Sequence, residues 1–113
     1  LVWQDKVRVY AAEHLPITLG RSPQATFRLE DSKISRSHAR IDWTGGSFQL
    51  TDLSYNGTYV RFGSSDEVIS LRRGSCTLHG HGVIGLGGSP SDTSLPTLRF
   101  DVLSIVDTVP HLV

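Results

Sequence analysis

HARIDWTGGSFQLTD, residues 38–52, is two strands and the turn that joins them. Ala39, Ile41 and Trp43 alternate with His38, Arg40 and Asp42, the period of two that sends successive side chains to opposite faces of a strand. Gly45 and Gly46 follow at once, and paired glycines accept the positive φ values that a tight hairpin turn requires. SFQLTD then runs back. Working outward, the same unit of short strand and turn recurs in KVRVYA (6–11), ITL (17–19, leading into Gly20), FRL (27–29), TYVRF (58–62), EVISL (67–71), SCTLH (75–79), GVIGLG (82–87) and TLRFDVLS (97–104). In KVRVYA the alternation sets Val7, Val9 and Ala11 against Lys6, Arg8 and Tyr10. Gly, Ser, Pro or Asp bounds each run. Neither long helical periodicity nor a repeat of 20–50 residues is present, which excludes bundles, solenoids and propellers. About ten short strands with close turn signals predict an all-β sandwich or barrel. GGSPSDTSLP (87–96) reads as a long hairpin loop, and the tail after Ile105, which carries Pro110, is expected to fray.

The chain has 113 residues, enough for one domain with one core. Lys plus Arg and Asp plus Glu both number 11, so the formal net charge is zero. That balance argues against a general nucleic-acid binder. No apolar run approaches the roughly 18 residues of a membrane span, and the single cysteine, Cys76, cannot close an internal disulfide. The expectation is a cytoplasmic module of one domain over residues 1–113, with its core over about 7–104. The absence of methionine and the apolar start Leu1-Val2-Trp3 suggest a fragment of a longer protein.

Polar residues of a particular kind collect in three turns: LGRSP (19–23), DSKISRSHA (31–39) and DLSYNGTYV (52–60). Loops at one end of a sandwich converge even when far apart in sequence. If these three converge, they gather Arg21, Lys33, Ser35, Arg36, Ser54, Tyr55 and Asn56. Guanidinium groups grip phosphate oxygens through two N–H groups at once, and hydroxyls and backbone N–H groups fill the remaining lone pairs. Ser35-Arg36-Ser37-His38 also has the look of a serine nucleophile and its base. However, no orienting acid adjoins the Ser35–His38 stretch of the loop and no oxyanion arrangement is visible. The set has the chemistry of a phosphate receptor.

Gly20-Arg21, Ser35-Arg36-x-His38 and Asn56-Gly57-Thr58, in this order on a β-rich chain, resemble a forkhead-associated (FHA) domain. DL at 52–53, HARI at 38–41 and GVIGLG at 82–87 extend the resemblance over roughly residues 7 to 104. It implies an FHA-like β-sandwich of about eleven mostly antiparallel strands with binding loops at one end. It also implies a non-enzymatic module of signal transduction that binds phosphothreonine peptides. On this resemblance Arg21 and Ser35 contact the phosphate, Arg36 donates nearby and Asn56 orients the peptide main chain. Lys33 faces the peptide downstream of the phosphothreonine, with Arg61 adding charge. Gly20, His38, Gly57 and Thr58 support the site. Tyr55 stands where the family often has a small hydroxyl residue, so its role is open between phosphate contact and rim. The alternative is a phosphate-independent interaction or oligomerisation module on the same scaffold. The segment SLRRGSCTLHGHGVIGLGG (70–88) also resembles the tails of FHA modules attached to bacterial class III adenylate or guanylate cyclases.

The remaining motifs carry blander readings. His79 and His81, at i and i+2, would share a strand face, but with Cys76 on the other face they fall short of the three or four ligands zinc requires. Neither a metal nor a cofactor is expected. GLGGS lacks the Gly-Lys-Ser/Thr of a nucleotide-binding loop. Trp3 and Trp43 read as core or interface residues, and Arg72-Arg73 as a solvated pair at a turn. Nucleic acid and membrane are not expected partners, and the sequence leaves the oligomeric state open.

Overall fold

The structure is a computed structural model that describes residues 1–3, 6–63, 65–91 and 97–102. It contains β1 (Val2–Trp3), β2 (Lys6–Val7), β3 (Ile17–Gly20), β4 (Phe27–Arg28), β5 (Ala39–Thr44), β6 (Ser47–Asp52), β7 (Thr58–Phe62), β8 (Ile69–Leu71), β9 (Ser75–Leu78), β10 (His81–Leu86) and β11 (Thr97–Asp101). A 3-10 turn, Ala12–His14, stands between β2 and β3. One sheet has the order β2-β1-β11-β10-β7-β8 and the other β4-β3-β5-β6-β9. Every pairing is antiparallel except β3 with β4. The fold is the expected all-β, FHA-like sandwich of eleven strands. Among the described residues no helix is long and apolar enough to cross a membrane.

The hairpin at residues 38–52 organises the second sheet. Thr44 pairs with Ser47 and Ala39 with Asp52 around a two-residue turn in which Gly45 and Gly46 have φ of 63° and 82°. Leu19, Ile41 and Leu50 from this sheet meet Val60, Ile84, Leu98 and Phe100 from the other in one buried cluster. Each such side chain, fully buried, contributes about 1.5–3 kcal/mol from the area it removes from water. Leu29 and Ile34 join the same cluster from the 29–38 connection. That burial pins the loop which carries Ser35. At the open edge, Lys6 Nζ on β2 donates to the carbonyl oxygen of Arg28 on β4 at 2.9 Å, tying the two sheets together.

Several sequence expectations need correction. KVRVYA is a strand only as far as Val7, and its faces are reversed. Val9 is 75% exposed, while Tyr10 packs against the core. Beyond Val7 the chain leaves the ladder, so strand alternation no longer decides which side chain turns inward. Trp43 is 45% exposed and lies edge-on to Phe48, its cross-strand partner, with ring centroids 4.7 Å apart. It therefore sits on the core-side face but at the hairpin's solvent end; Trp3 does pack against the core. His38 precedes β5, so it does not share a face with Arg40 and Asp42; it is fully buried next to Ala39. His79 and His81 flank a turn at Gly80 and belong to no single strand. His79 stacks flat on Phe62, with centroids 4.3 Å apart. Among the described residues no three His, Cys, Asp or Glu side chains form a metal cluster. The tail after Ile105 and part of the 87–96 loop lie outside the described residues.

Candidate functional site

Strand register and one crossing turn bring the three polar loops to one end. Leu19 near the end of β3 pairs with Ala39 at the start of β5, Ala39 pairs with Asp52 at the end of β6, and the 52–58 turn then crosses to the other sheet, where β7 starts at Thr58. The Arg21 N–H donates to Ser35 O at 3.0 Å and the Ser22 N–H to Arg36 O at 3.1 Å, so the first two loops run side by side. Such close approach depends on Gly20, where a Cβ would overlap the carbonyl oxygen of Arg36. The third loop joins through Leu53 N–H to His38 O at 2.9 Å and Tyr55 N–H to Ser35 Oγ at 3.2 Å.

Beneath the loops lies a buried polar frame. Among the described residues, His38, Asp52, Ser54 and Thr58 are the buried polar and charged ones. His38 Nδ1 accepts the Ser35 N–H at 3.0 Å, and Nε2 lies 3.0 Å from Gly57 O. An acceptor Nδ1 requires the proton on Nε2, so the ring is neutral and donates to Gly57. Burial pushes the His38 pKa below its ordinary value, and neither the Gly57 bond nor the Asp52 charge offsets it. Gly57 O also accepts the Gly87 N–H at 3.0 Å, and Gly57 has a φ of 95°, which a side chain would strain.

Asp52 is the centre of this frame. Its Oδ1 accepts from Ser54 Oγ and Thr58 Oγ1, both at 2.6 Å, and from Ser54 N–H at 3.1 Å; Oδ2 accepts Arg73 N–H at 2.9 Å. Burial alone would raise the carboxyl pKa. The bonds from Ser54, Thr58 and Arg73 outweigh it and hold the pKa below the ordinary value. Ser54 Oγ in turn accepts the Gly57 N–H at 2.7 Å. Ser54 is thus spent on structure and is not free for a ligand, contrary to its place among the candidate binding hydroxyls. Asp52 carried no role in the sequence reading, yet a signal existed. It lies in phase with Phe48 and Leu50 on the core side of β6, where an unexplained carboxylate must have donors waiting.

The other candidates face outward. Arg21 is exposed and donates Nε–H to Ile34 O at 3.1 Å, which leaves the two terminal nitrogens of its guanidinium without a partner among the described residues. Ser35 Oγ accepts from Tyr55, so its own hydrogen remains to be donated. Lys33, Arg36, Tyr55 and Asn56 are exposed, Tyr55 at 90%. Lys33 anchors its backbone N–H on Asp31 Oδ1 at 2.9 Å. Arg61 does not belong here. It sits within β7 opposite Val83, three residues or roughly 10 Å along the strand from Thr58.

Ser35 and His38 do not form a nucleophile and base. One ring nitrogen is occupied by the backbone N–H of Ser35 and the other by Gly57, so neither can take a proton from the serine hydroxyl. A fourth segment reaches the same end. The turn at Arg72–Gly74 meets Asp52 through Arg73 N–H and through the Asp52 N–H to Gly74 O bond of 2.9 Å.

The sequence matches the family model described as FHA domain over residues 17–76, more than half of the chain. It is 34% identical over 76 residues to the glycogen accumulation regulator GarA of Mycolicibacterium smegmatis, covering 66% of this chain and 48% of that protein. This chain therefore spans about half the length of that relative. The fold superposes on FHA-1 of Rv1747 from Mycobacterium tuberculosis with a TM-score of 0.69 and 23% identity, covering 91% of this chain and 93% of that one. A second solved structure, from work on phosphothreonine-dependent FHA domain interactions, has a TM-score of 0.56 and 29% identity, with 79% of each chain covered. With its loops, frame and strand order accounted for, this chain belongs to the FHA domain family.

Proposed function

We propose that this chain is a phosphothreonine-dependent peptide-binding module of a cytoplasmic signalling protein. Arg21 and Ser35 take the phosphate, Arg36 and the exposed Tyr55 side chain complete the rim, Asn56 holds the peptide main chain, and Lys33 faces its downstream residues. The observation that carries the reading is the pairing of a fixed backbone with unspent donors. The Arg21 guanidinium is held by one nitrogen and open at two, and the Ser35 hydroxyl is held as an acceptor and open as a donor. A dianion accepting several charge-assisted hydrogen bonds suits that set. The related FHA structure studied for its phosphothreonine-dependent interactions supports the same ligand class. The commitment of His38 to two backbone groups supports a binding module without catalysis, because it removes a serine–histidine pair.

Calorimetric titration of one peptide sequence in three forms tests this. The phosphothreonine form is expected to bind with a low-micromolar Kd, near −8 kcal/mol. The phosphoserine form should bind more weakly and the unmodified form not measurably. Equal binding of all three would remove phosphate from the mechanism and favour a phosphate-independent interaction or oligomerisation surface.

A further inference from the structure

The turn at Arg72–Arg73 was expected to be an ordinary solvated pair, yet it stands at the binding end. An open cleft of about 260 Å³ is lined by Asp52, Ser54, Tyr55, Gly57, Arg72 and Arg73. Tyr55 and Gly57 belong to the loop that carries Asn56, so the cleft continues from the proposed phosphopeptide site on the far side of that loop. We infer that Arg72 and Arg73 form a second anion subsite, which receives a phosphate or carboxylate borne by the same peptide several residues from its phosphothreonine. This inference rests on the proposed function and names a further feature of its ligand.

Three observations separate the pair from a solvated turn. Arg72 Nη2 donates to the Tyr59 hydroxyl at 3.2 Å, which fixes one guanidinium over the outer face of β7 beside Gly57. Arg73 is the one non-glycine residue among those described with positive φ, at 64°, and its N–H is bonded to Asp52 Oδ2. That uncommon backbone geometry goes with the bond to the frame of the first site, and both arginines line the cleft. Finally, no acidic side chain pairs with either arginine among the described residues, whose only ion pairs are Arg28–Glu30 and Arg40–Asp42. The carboxylate that lines the cleft, Asp52, is buried, and its oxygens are taken up by Ser54, Thr58 and the Arg73 N–H, so it forms no ion pair with either guanidinium. Two exposed guanidiniums stand against that one buried negative charge.

The sheet supplies a ruler. Arg21 follows β3 and Arg73 precedes β9, and the order β3-β5-β6-β9 separates them by three strand spacings, roughly 14 Å. An extended peptide advances about 3.3 Å per residue, so the second anion belongs about four residues from the phosphothreonine. Arginine length widens that to about three to five residues on one side.

A peptide series tests the subsite. A single-phosphothreonine peptide is compared with versions carrying a second phosphothreonine, or a glutamate, at each position from two to six residues away on either side. Binding is measured to the wild type, to Arg72→Gln/Arg73→Gln and to Arg72→Lys/Arg73→Lys. The expected result is a gain of about fivefold for a second phosphate, and less for glutamate, at spacings of about three to five residues on one side. The gain should shrink with added salt, disappear in the glutamine variant and largely survive in the lysine variant, while all three proteins bind the singly phosphorylated peptide alike. No gain at any spacing, or a gain that persists in the glutamine variant, overturns the subsite and leaves the first site standing. Failure of wild type to bind the singly phosphorylated peptide would overturn both.

Discussion

The loop end of this domain has two tiers with opposite habits. In the lower tier His38, Asp52, Ser54 and Thr58 are buried and their polar atoms are engaged by named partners. In the upper tier Arg21, Lys33, Arg36, Tyr55 and Asn56 are exposed, and Arg21 and Ser35 keep donors open. Burial explains the first habit, because an unpaired polar group away from water costs about 1–3 kcal/mol. Exposure permits the second, because water satisfies these donors, and the proposed function uses it, since a donor already satisfied inside the protein has nothing to give a phosphate. The two tiers meet at Ser35, whose backbone N–H belongs to the frame through His38 and whose hydroxyl belongs to the surface. A residue's polarity therefore says little about its role here; its partners decide.

Breaking the lower tier should cost fold before it costs affinity. Asp52→Ala removes the acceptor of two hydroxyls and two backbone N–H groups, so the expected loss is about 4 kcal/mol, seen as a much lower urea midpoint. Asp52→Asn should cost less, since its carbonyl can still accept from Ser54 and Thr58 while its amide faces the Arg73 N–H donor to donor. An Asp52→Ala protein of wild-type stability would show that the frame is not the centre of the loop end.

His38→Ala should cost about 3 kcal/mol, from a cavity and from the Ser35 N–H left without its acceptor. The same residue gives a pH signature. Its folded pKa lies below the unfolded value near 6.5, because burial disfavours the charged ring and Nδ1 is already an acceptor. Between those two values the unfolded chain binds more protons, so stability is full above about pH 6.5 and falls as pH drops toward the folded pKa. Asp52 has a lowered carboxyl pKa, and its own contribution is lost only in a separate, more acidic window below its ordinary value of 3.8. Urea denaturation across pH 5 to 8 should show the decline in wild type and a flatter profile in His38→Gln.

In the upper tier the effects should reverse. Arg21→Ala should lower phosphopeptide affinity by about 2 kcal/mol or more, roughly 30-fold. Stability should fall by no more than about 1 kcal/mol, the worth of the Ile34 bond. Unchanged affinity in a folded Arg21→Ala protein would remove Arg21 from the site.

The sequence made the upper tier easier to see than the lower. Charged and hydroxyl residues in Gly- and Asp-bounded turns stand out, and the period-two hairpin at 38–52 located them at a strand end. Asp52 and Ser54 were hidden because their roles lie in hydrogen bonds across the 52–58 turn and to Arg73, twenty-one residues away. Tyr10 was placed on the wrong face because the strand ends at Val7, and the period-two reading was carried into residues that are not in a ladder. The Arg72–Gly74 turn could not be placed at the binding end without knowing that β9 pairs with β6.

The smallest effect belongs to Lys33, and it tests whether the upper tier also selects among phosphopeptides. Lys33 lies two residues before Ser35 and is exposed. Its carbonyl oxygen is near Gly87, so its loop is held at the rim where the residues after the phosphothreonine would pass. An ammonium lacks the flat, two-pronged grip of a guanidinium, so it can favour an acidic side chain only by charge. Between exposed groups that attraction contributes about 0.2–1 kcal/mol and fades with salt. Asp31, which accepts the Lys33 N–H, places an opposing charge close by and keeps the expectation at the low end. Since Arg61 lies partway down β7, Lys33 must act without it. An oriented phosphothreonine library should therefore show a weak preference for Asp or Glu one to three residues downstream. Lys33→Glu should turn that preference toward Lys or Arg without changing binding to a neutral phosphopeptide by more than a few-fold. A profile favouring apolar residues at those positions, and unmoved by Lys33→Glu, would assign selectivity to the exposed ring of Tyr55 in place of charge.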